Sequence, residues 1–203
     1  MFLSEVIYSL IDYLRCVQMR LIIAVTGASG VIYSKRLLEV LNEKNVEVHL
    51  IISNASEKIL DHELETTKDE LEKLATKTYA EDDFYAPLAS GSFLADGMII
   101  IPCSSKTVAG IAQGYSENLI LRAADVTLKE HRKLILVPRE TPLNAIHLRN
   151  QLELAMQGVV ILPAMPAFYH KPKKIDDLVD FIVGKVLDSV GIRNNLFERW
   201  SEQ

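Results

Sequence analysis

The sequence predicts a doubly wound α/β sandwich, a three-layer αβα arrangement around a mainly parallel sheet. Three observations carry this. Short, wholly apolar and largely β-branched runs recur along the chain, helical spacing follows them, and most of the runs end in turns rich in Gly, Ser or Pro. A strand that is apolar throughout, rather than alternating, must be covered on both faces.

Taken in order, Leu21 to Val25 is the first such run, closed by Thr26-Gly27-Ala28-Ser29-Gly30 and followed by helical spacing through Leu37, Leu38, Val40 and Leu41. Val46 to Ile52 is the second, so the pair reads as a βαβ unit with parallel strands. A helix follows from about Ser56 to Leu64, and the charged stretch Glu65 to Lys77 reads as a solvated helical face. Met98 to Ile101 is the third strand, with a short helix through Val108 and Ile111 after it. Leu134 to Val137 and Val159 to Leu162 are the fourth and fifth, separated by a helix over Leu143 to Met156. Ile175 to Leu187 closes the fold as a helix.

At 203 residues the chain fits one domain, assigned to residues 19–203. Residues 1–18 are set apart as an N-terminal amphipathic helical extension, with apolar positions at helical spacing interrupted by Glu5 and Asp12. They are too short and too charged to span a bilayer. Their two readings are upstream sequence before Met19 and a helix packing on a neighbouring subunit. A net charge of −5 with 24% charged residues offers no basic stripe for nucleic acid. Cys16 and Cys103 form neither a CxxC pair nor a disulfide framework, which fits a reducing, cytoplasmic setting. The five histidines, His49, His62, His131, His147 and His170, have no metal-ligand spacing, so no metal site is expected.

In an open parallel sheet, ligands bind outside the carboxyl ends of the strands. That rule selects Gly27 to Gly30, Ser53, Ser104 to Thr107, Arg139-Glu140, and the segment from Pro163 to His170. Gly27 and Gly30 let the backbone approach an anion at a helix N-terminus, although glycine also serves merely to turn a chain. Ser104, Ser105, Lys106 and Thr107 add hydroxyls and an amine that suit a phosphate ester or an ordinary helix cap. Two hydroxyl-rich turns at one sheet edge read best as a single cradle. Arg139 can grip phosphate in two-pronged fashion. Beside it, Glu140 is expected to have a raised pKa and to give up a proton near neutrality. Both also fit a structural ion pair. Tyr169 is either an apolar wall with a hydroxyl donor or a core aromatic.

Four segments, in this order and spacing, resemble the UbiX-type flavin prenyltransferases: TGASGVIYSKRLL from Thr26, ASGSFLADGMIIIPCSSKT from Ala89, NLILRAADVTLKEHRKLILVPRE from Asn118, and LPAMPAFYHKP from Leu162. The resemblance runs from about Arg20 to Trp200. It implies a Rossmann-like (flavodoxin-like) flavoprotein domain that joins the dimethylallyl group of dimethylallyl monophosphate to N5 and C6 of reduced FMN, without a metal. It further implies a homododecamer with interfacial active sites, and delivery of prenylated FMN to UbiD-type decarboxylases acting on ubiquinone precursors or aromatic acids. By position, Gly27, Ala28, Ser29, Ser53, Ser104, Ser105, Lys106, Thr107 and Arg139 hold FMN. Arg122, Lys129, Arg139, Tyr169 and Lys185 hold the prenyl phosphate, some of them from a neighbouring subunit. Ser29, Glu63 and Glu140 are the implied catalytic groups, with Glu63 accepting a proton, Glu140 donating one and Ser29 relaying. Phe84 and Lys185 stand where relatives carry tryptophan and arginine. Two alternatives remain: a phosphopantothenoylcysteine-decarboxylase-like flavoprotein, which lacks support because Pro163-Ala164-Met165-Pro166 has no asparagine, and a non-catalytic FMN carrier.

Overall fold

The computed structural model describes residues 19–200; the predicted helix at 1–18 lies outside them. Six strands form one sheet: β1 (Arg20–Val25), β2 (Glu47–Ile52), β3 (Lys77–Tyr79), β4 (Gly97–Cys103), β5 (Lys133–Pro138) and β6 (Val160–Ile161). Their order is β3-β2-β1-β4-β5-β6 and every pairing is parallel. Seven α-helices accompany them among the described residues: α1 (Val31–Glu43), α2 (Asn54–Leu64), α3 (Lys68–Glu72), α4 (Ser105–Ala112), α5 (Leu119–Lys129), α6 (Ala145–Met156) and α7 (Ile175–Ser189).

The side-chain alternation along β1 shows how the layers form. Leu21, Ile23 and Val25 point into one core with residues of α1, α2, α3 and α7, while Ile22 and Ala24 point into the other with residues of α4, α5 and α6. Both faces of the central strands are therefore dry, which is why their sequences are apolar without alternation. Helix starts are set by short polar side chains. Ser53, Ser104, Asn118 and Asn144 each accept the backbone N–H three residues on, at 3.3, 3.3, 3.0 and 2.9 Å.

Three elements differ from the sequence expectation. The charged stretch Glu65 to Lys77 is not one helical face: α3 covers only Lys68–Glu72, started by Thr67, whose N–H donates to Glu70 at 3.0 Å. The chain then turns into β3, an edge strand paired with β2 from His49↔Lys77 to Ile51↔Tyr79. Three residues are too few to display a period of two, so the strand leaves no pattern to read. Helix α5 is the other addition, and it buries Leu119, Ile120, Leu121, Ala123, Ala124 and Val126.

The strand order places the reversal between β1 and β4: from β1 the chain builds outward through β2 and β3, then crosses to β4 on the other side. The crevice for a ligand therefore opens above the carboxyl ends of these two strands.

Candidate functional site

The floor of the crevice is stitched across the reversal by Thr26. Its hydroxyl donates to the Pro102 carbonyl at 2.9 Å and accepts the Ser104 N–H at 2.8 Å, so the ends of β1 and β4 are joined by one buried side chain. Ser34, on α1, adds a hydrogen bond to the Ile101 carbonyl at 2.7 Å. The sequence reading gives Thr26 no role, although a hydroxyl ending a strand just before a glycine turn was its visible signal.

Around that floor stand three helix N-termini. At the first, the Gly27–Gly30 turn packs so tightly on α2 that a Cβ on Gly27 would lie 2.8 Å from the Ala55 Cβ. At the second, Ser53 is buried and spent on α2: its Oγ caps the helix and lies 3.1 Å from the Ser56 Oγ. The Asn54 N–H of the same turn donates to Glu81 at 3.2 Å, a contact with no sequence signal. At the third, Ser104 caps α4 and lies 2.9 Å from the Thr107 Oγ1.

The far wall comes from β5. Arg139 Nε donates to the Ser29 carbonyl at 3.1 Å, and Glu140 accepts the Ser105 hydroxyl at 3.1 Å and the Thr141 N–H at 3.1 Å. Ser29, Ser105, Arg139 and Glu140, which come from three separate strand ends, thus form one continuous polar rim. The expectation of a raised Glu140 pKa is corrected here. The Thr141 N–H, then the Ser105 hydroxyl, with Arg139 and His147 nearby, hold its carboxyl below the usual range. At rest it is a carboxylate.

Glu63 reaches the rim from the last turn of α2. Its Oε2 accepts the N–H groups of Gly30 at 2.9 Å and Val31 at 3.3 Å. Ala28 is buried behind the turn, and Phe84 is exposed on the loop after β3.

The remaining predicted residues are not gathered here within one subunit. Lys106 is three-quarters exposed and pairs with Glu117 at 2.7 Å, which also raises its proton affinity. Arg122 donates to the Ala89 carbonyl at 3.0 Å and to Asp125 at 2.7 Å, and Lys129 pairs with Glu130. Arg132 fixes the same loop through the carbonyls of Gly91, at 2.7 Å, and Phe93, at 2.5 Å. Helix α5, which carries Arg122 and Lys129, packs on one face of the sheet; Tyr169 and α7, which carries Lys185, pack on the opposite face. Tyr169 meets the rings of His170, Phe181 and Trp200 edge-on, with centroids 5.6, 6.0 and 5.3 Å away, and Lys185 is exposed. The sheet therefore separates the two halves of the predicted prenyl-phosphate pocket.

A doubly wound parallel sheet with hydroxyl-lined turns at its reversal, and an arginine reaching over them from the next strand end, is the arrangement of α/β proteins that bind ligands at a topological switch point. The Flavoprotein family model matches residues 13–187. The flavin prenyltransferase UbiX of Methanocaldococcus jannaschii is 55% identical over 182 residues, covering 90% of this chain and 98% of that protein. Among solved structures, AnUbiX (PadA1) in complex with FMN and dimethylallyl pyrophosphate superposes with a TM-score of 0.88 at 46% identity, over 90% of this chain and 97% of that one. The dodecameric FMN-dependent UbiX-like decarboxylase of Escherichia coli O157:H7 gives the same TM-score of 0.88 and identity of 46%, over 90% and 99%. The chain belongs to the flavoprotein family, among the UbiX-type flavin prenyltransferases.

Proposed function

We propose that this protein joins the dimethylallyl group of dimethylallyl monophosphate to N5 and C6 of reduced FMN, and that the prenylated product serves a UbiD-type decarboxylase. The observation that carries the reading is the polar rim. A guanidinium, a carboxylate and two serine residues meet above a stitched sheet reversal, in a chain similar along nine-tenths of its length to flavin prenyltransferases. What fits a flavin phosphate is the glycine-bounded Gly27–Gly30 turn packed on α2, with Arg139 drawn over it through the Ser29 carbonyl. FMN would be held by Gly27, Ala28, Ser29, the turn carrying Ser104, Ser105 and Thr107, and Arg139, with Ser53 shaping the site through its cap on α2.

When bound, reduced FMN supplies the electron-rich N5 and C6 to which the five-carbon unit is joined. The protein's residues divide the remaining work. Arg139 is fixed through Nε by Ser29, which leaves its terminal nitrogens for phosphate oxygens. Breaking the allylic carbon–oxygen bond leaves an electron pair on the departing phosphate oxygen, which takes a proton from Glu140, with Ser29 on the facing turn as the proposed relay. The resting carboxylate first takes up a proton from solvent, which a bound phosphate dianion favours because its negative charge opposes the lowered pKa. Glu63 takes the proton lost from C6. Phe84 lends an aromatic face, and Arg122, Lys129, Tyr169 and Lys185 complete the phosphate pocket, Lys185 as a point charge rather than a fork. No metal takes part in this scheme.

Because α5 and Tyr169 lie on opposite faces of the sheet, a complete pocket draws these residues from neighbouring copies. The outer face of α6 supports assembly. Leu148, Leu152 and Met156 recur at helical spacing and are 54%, 58% and 68% exposed, while the inner face buries Asn150 and Leu154. Among the described residues no helix is long and apolar enough to cross a membrane. The proposed setting is the cytoplasm.

The test is anaerobic incubation of the protein with reduced FMN and dimethylallyl monophosphate, followed by mass spectrometry of the flavin. Gain of one five-carbon unit is expected. Flavin that binds stoichiometrically but keeps its mass would make the protein a carrier instead. Parallel reactions with the diphosphate show which donor is used.

A further inference from the structure

Helix α1 has no cap of its own. It starts from Gly30 at φ +103°, and no side chain at the cap position accepts a first-turn N–H. A helix end leaves its first N–H groups unsatisfied, and a Ser, Thr, Asp or Asn at the start is the ordinary remedy. Here that remedy is barred. The positive φ strains any L side chain at residue 30, and a Cβ there would lie 3.1 Å from the Tyr33 ring.

We infer that Glu63 is the N-terminal cap of α1, supplied from another helix, and that it positions the Gly27–Gly30 turn apart from any proton it takes. Its Oε2 receives both the Gly30 and the Val31 N–H from 33 and 32 residues away. The same helix, α2, also holds the opposite end of the turn. Its first residues are tied to the end of β1, with the Ser53 N–H and the Ser56 hydroxyl both donating to the Val25 carbonyl at 3.0 Å. Ala55 then sits against Gly27. One helix therefore clamps the turn twice, at Gly27 by its first turn and at Gly30 by its last. Ser29 lies between the clamps, and its carbonyl is the acceptor that orients Arg139. Displacing Glu63 would release Gly30, move Ser29 and loosen Arg139.

What the turn holds rests on the prenyltransferase reading; the cap itself does not. The experiment compares Glu63→Ala, Glu63→Gln and Glu63→Asp by thermal unfolding of the apoprotein, by titration with oxidised FMN followed through flavin fluorescence, and by turnover. Glutamine keeps an oxygen that accepts the two N–H groups, whereas alanine has none and aspartate is one methylene too short. Glu63→Ala and Glu63→Asp are expected to bind FMN about fivefold to tenfold more weakly and to melt about 3 °C lower. Glu63→Gln is expected to stay within about twofold in binding and about 1 °C in melting temperature. The cap is overturned if alanine binds FMN and melts as the native protein does, or if glutamine loses as much as alanine. Should alanine fail to fold, the contrast between glutamine and aspartate decides. Turnover reports separately: a glutamine variant that binds FMN and turns over normally removes the proton-accepting role of Glu63 and leaves the cap standing.

Discussion

Glu140 is where sequence and structure part most instructively. A glutamate after a strand-end arginine could be singled out from sequence as a candidate, because the strand-end rule selects it and few other carboxylates. Its resting ionisation was not legible, since that depends on the Thr141 N–H and on Ser105, 35 residues away in sequence. Thr26 and Glu63 follow the same logic: a strand-end hydroxyl before a glycine turn marks Thr26, but the partners of both lie 76 and 33 residues away, which no local pattern records. The lowered pKa also fixes a sign. A depressed carboxylate favours the folded state above its ordinary value near 4.5, and that contribution is lost as pH falls through the lower folded value. Replacing Glu140 by Gln keeps the shape and one acceptor for Ser105 but removes the proton. The Glu140→Gln variant is expected to bind FMN with native affinity and to turn over about a hundredfold or more slowly, as measured by prenylated flavin formed per minute. Native turnover would remove Glu140 from the chemistry.

At the scale of elements, the strands that matter to the site were readable because they are central. β1, β4 and β5 are buried on both faces and announce themselves as apolar runs, whereas the edge strand β3 contributes only Lys77, Thr78 and Tyr79, and the residue most exposed of the three opens it. Helix α6 was readable as a helix, yet its apolar residues face two ways. Leu154 goes into the subunit core and Leu148, Leu152 and Met156 go outward, a distinction that requires knowing which side the sheet lies on. Leu143 and Met165, also exposed, line a depression together with Arg139 and Glu140. A charge placed on the outward stripe should disrupt assembly without touching the core. Leu152→Asp is expected to lower the molecular mass in sedimentation experiments, to retain the native far-ultraviolet circular dichroism, and to lose most prenyl transfer. An unchanged mass with full activity would show that α6 is not a contact between copies.

For the molecule as a whole, the fold class and the strand-end segments followed from a repeated pattern, while which of those segments are neighbours followed from the order of strands, which sequence does not display. Only the topology shows that β1 and β4 are neighbours and that Ser29 and Arg139 meet above them. It also shows that α5 and α7 are held apart by the sheet, with Arg122 and Lys129 on one side and Lys185 on the other. That separation has a genetic meaning. If every active site borrows residues from more than one copy, a chain damaged on α5 and a chain damaged on α7 carry different defects. Coexpressed Arg122→Ala and Lys185→Ala chains should then build some sites with both native groups, and mixed oligomers should recover activity that neither variant shows alone. Two inactive alleles of this protein would complement one another inside a single assembly.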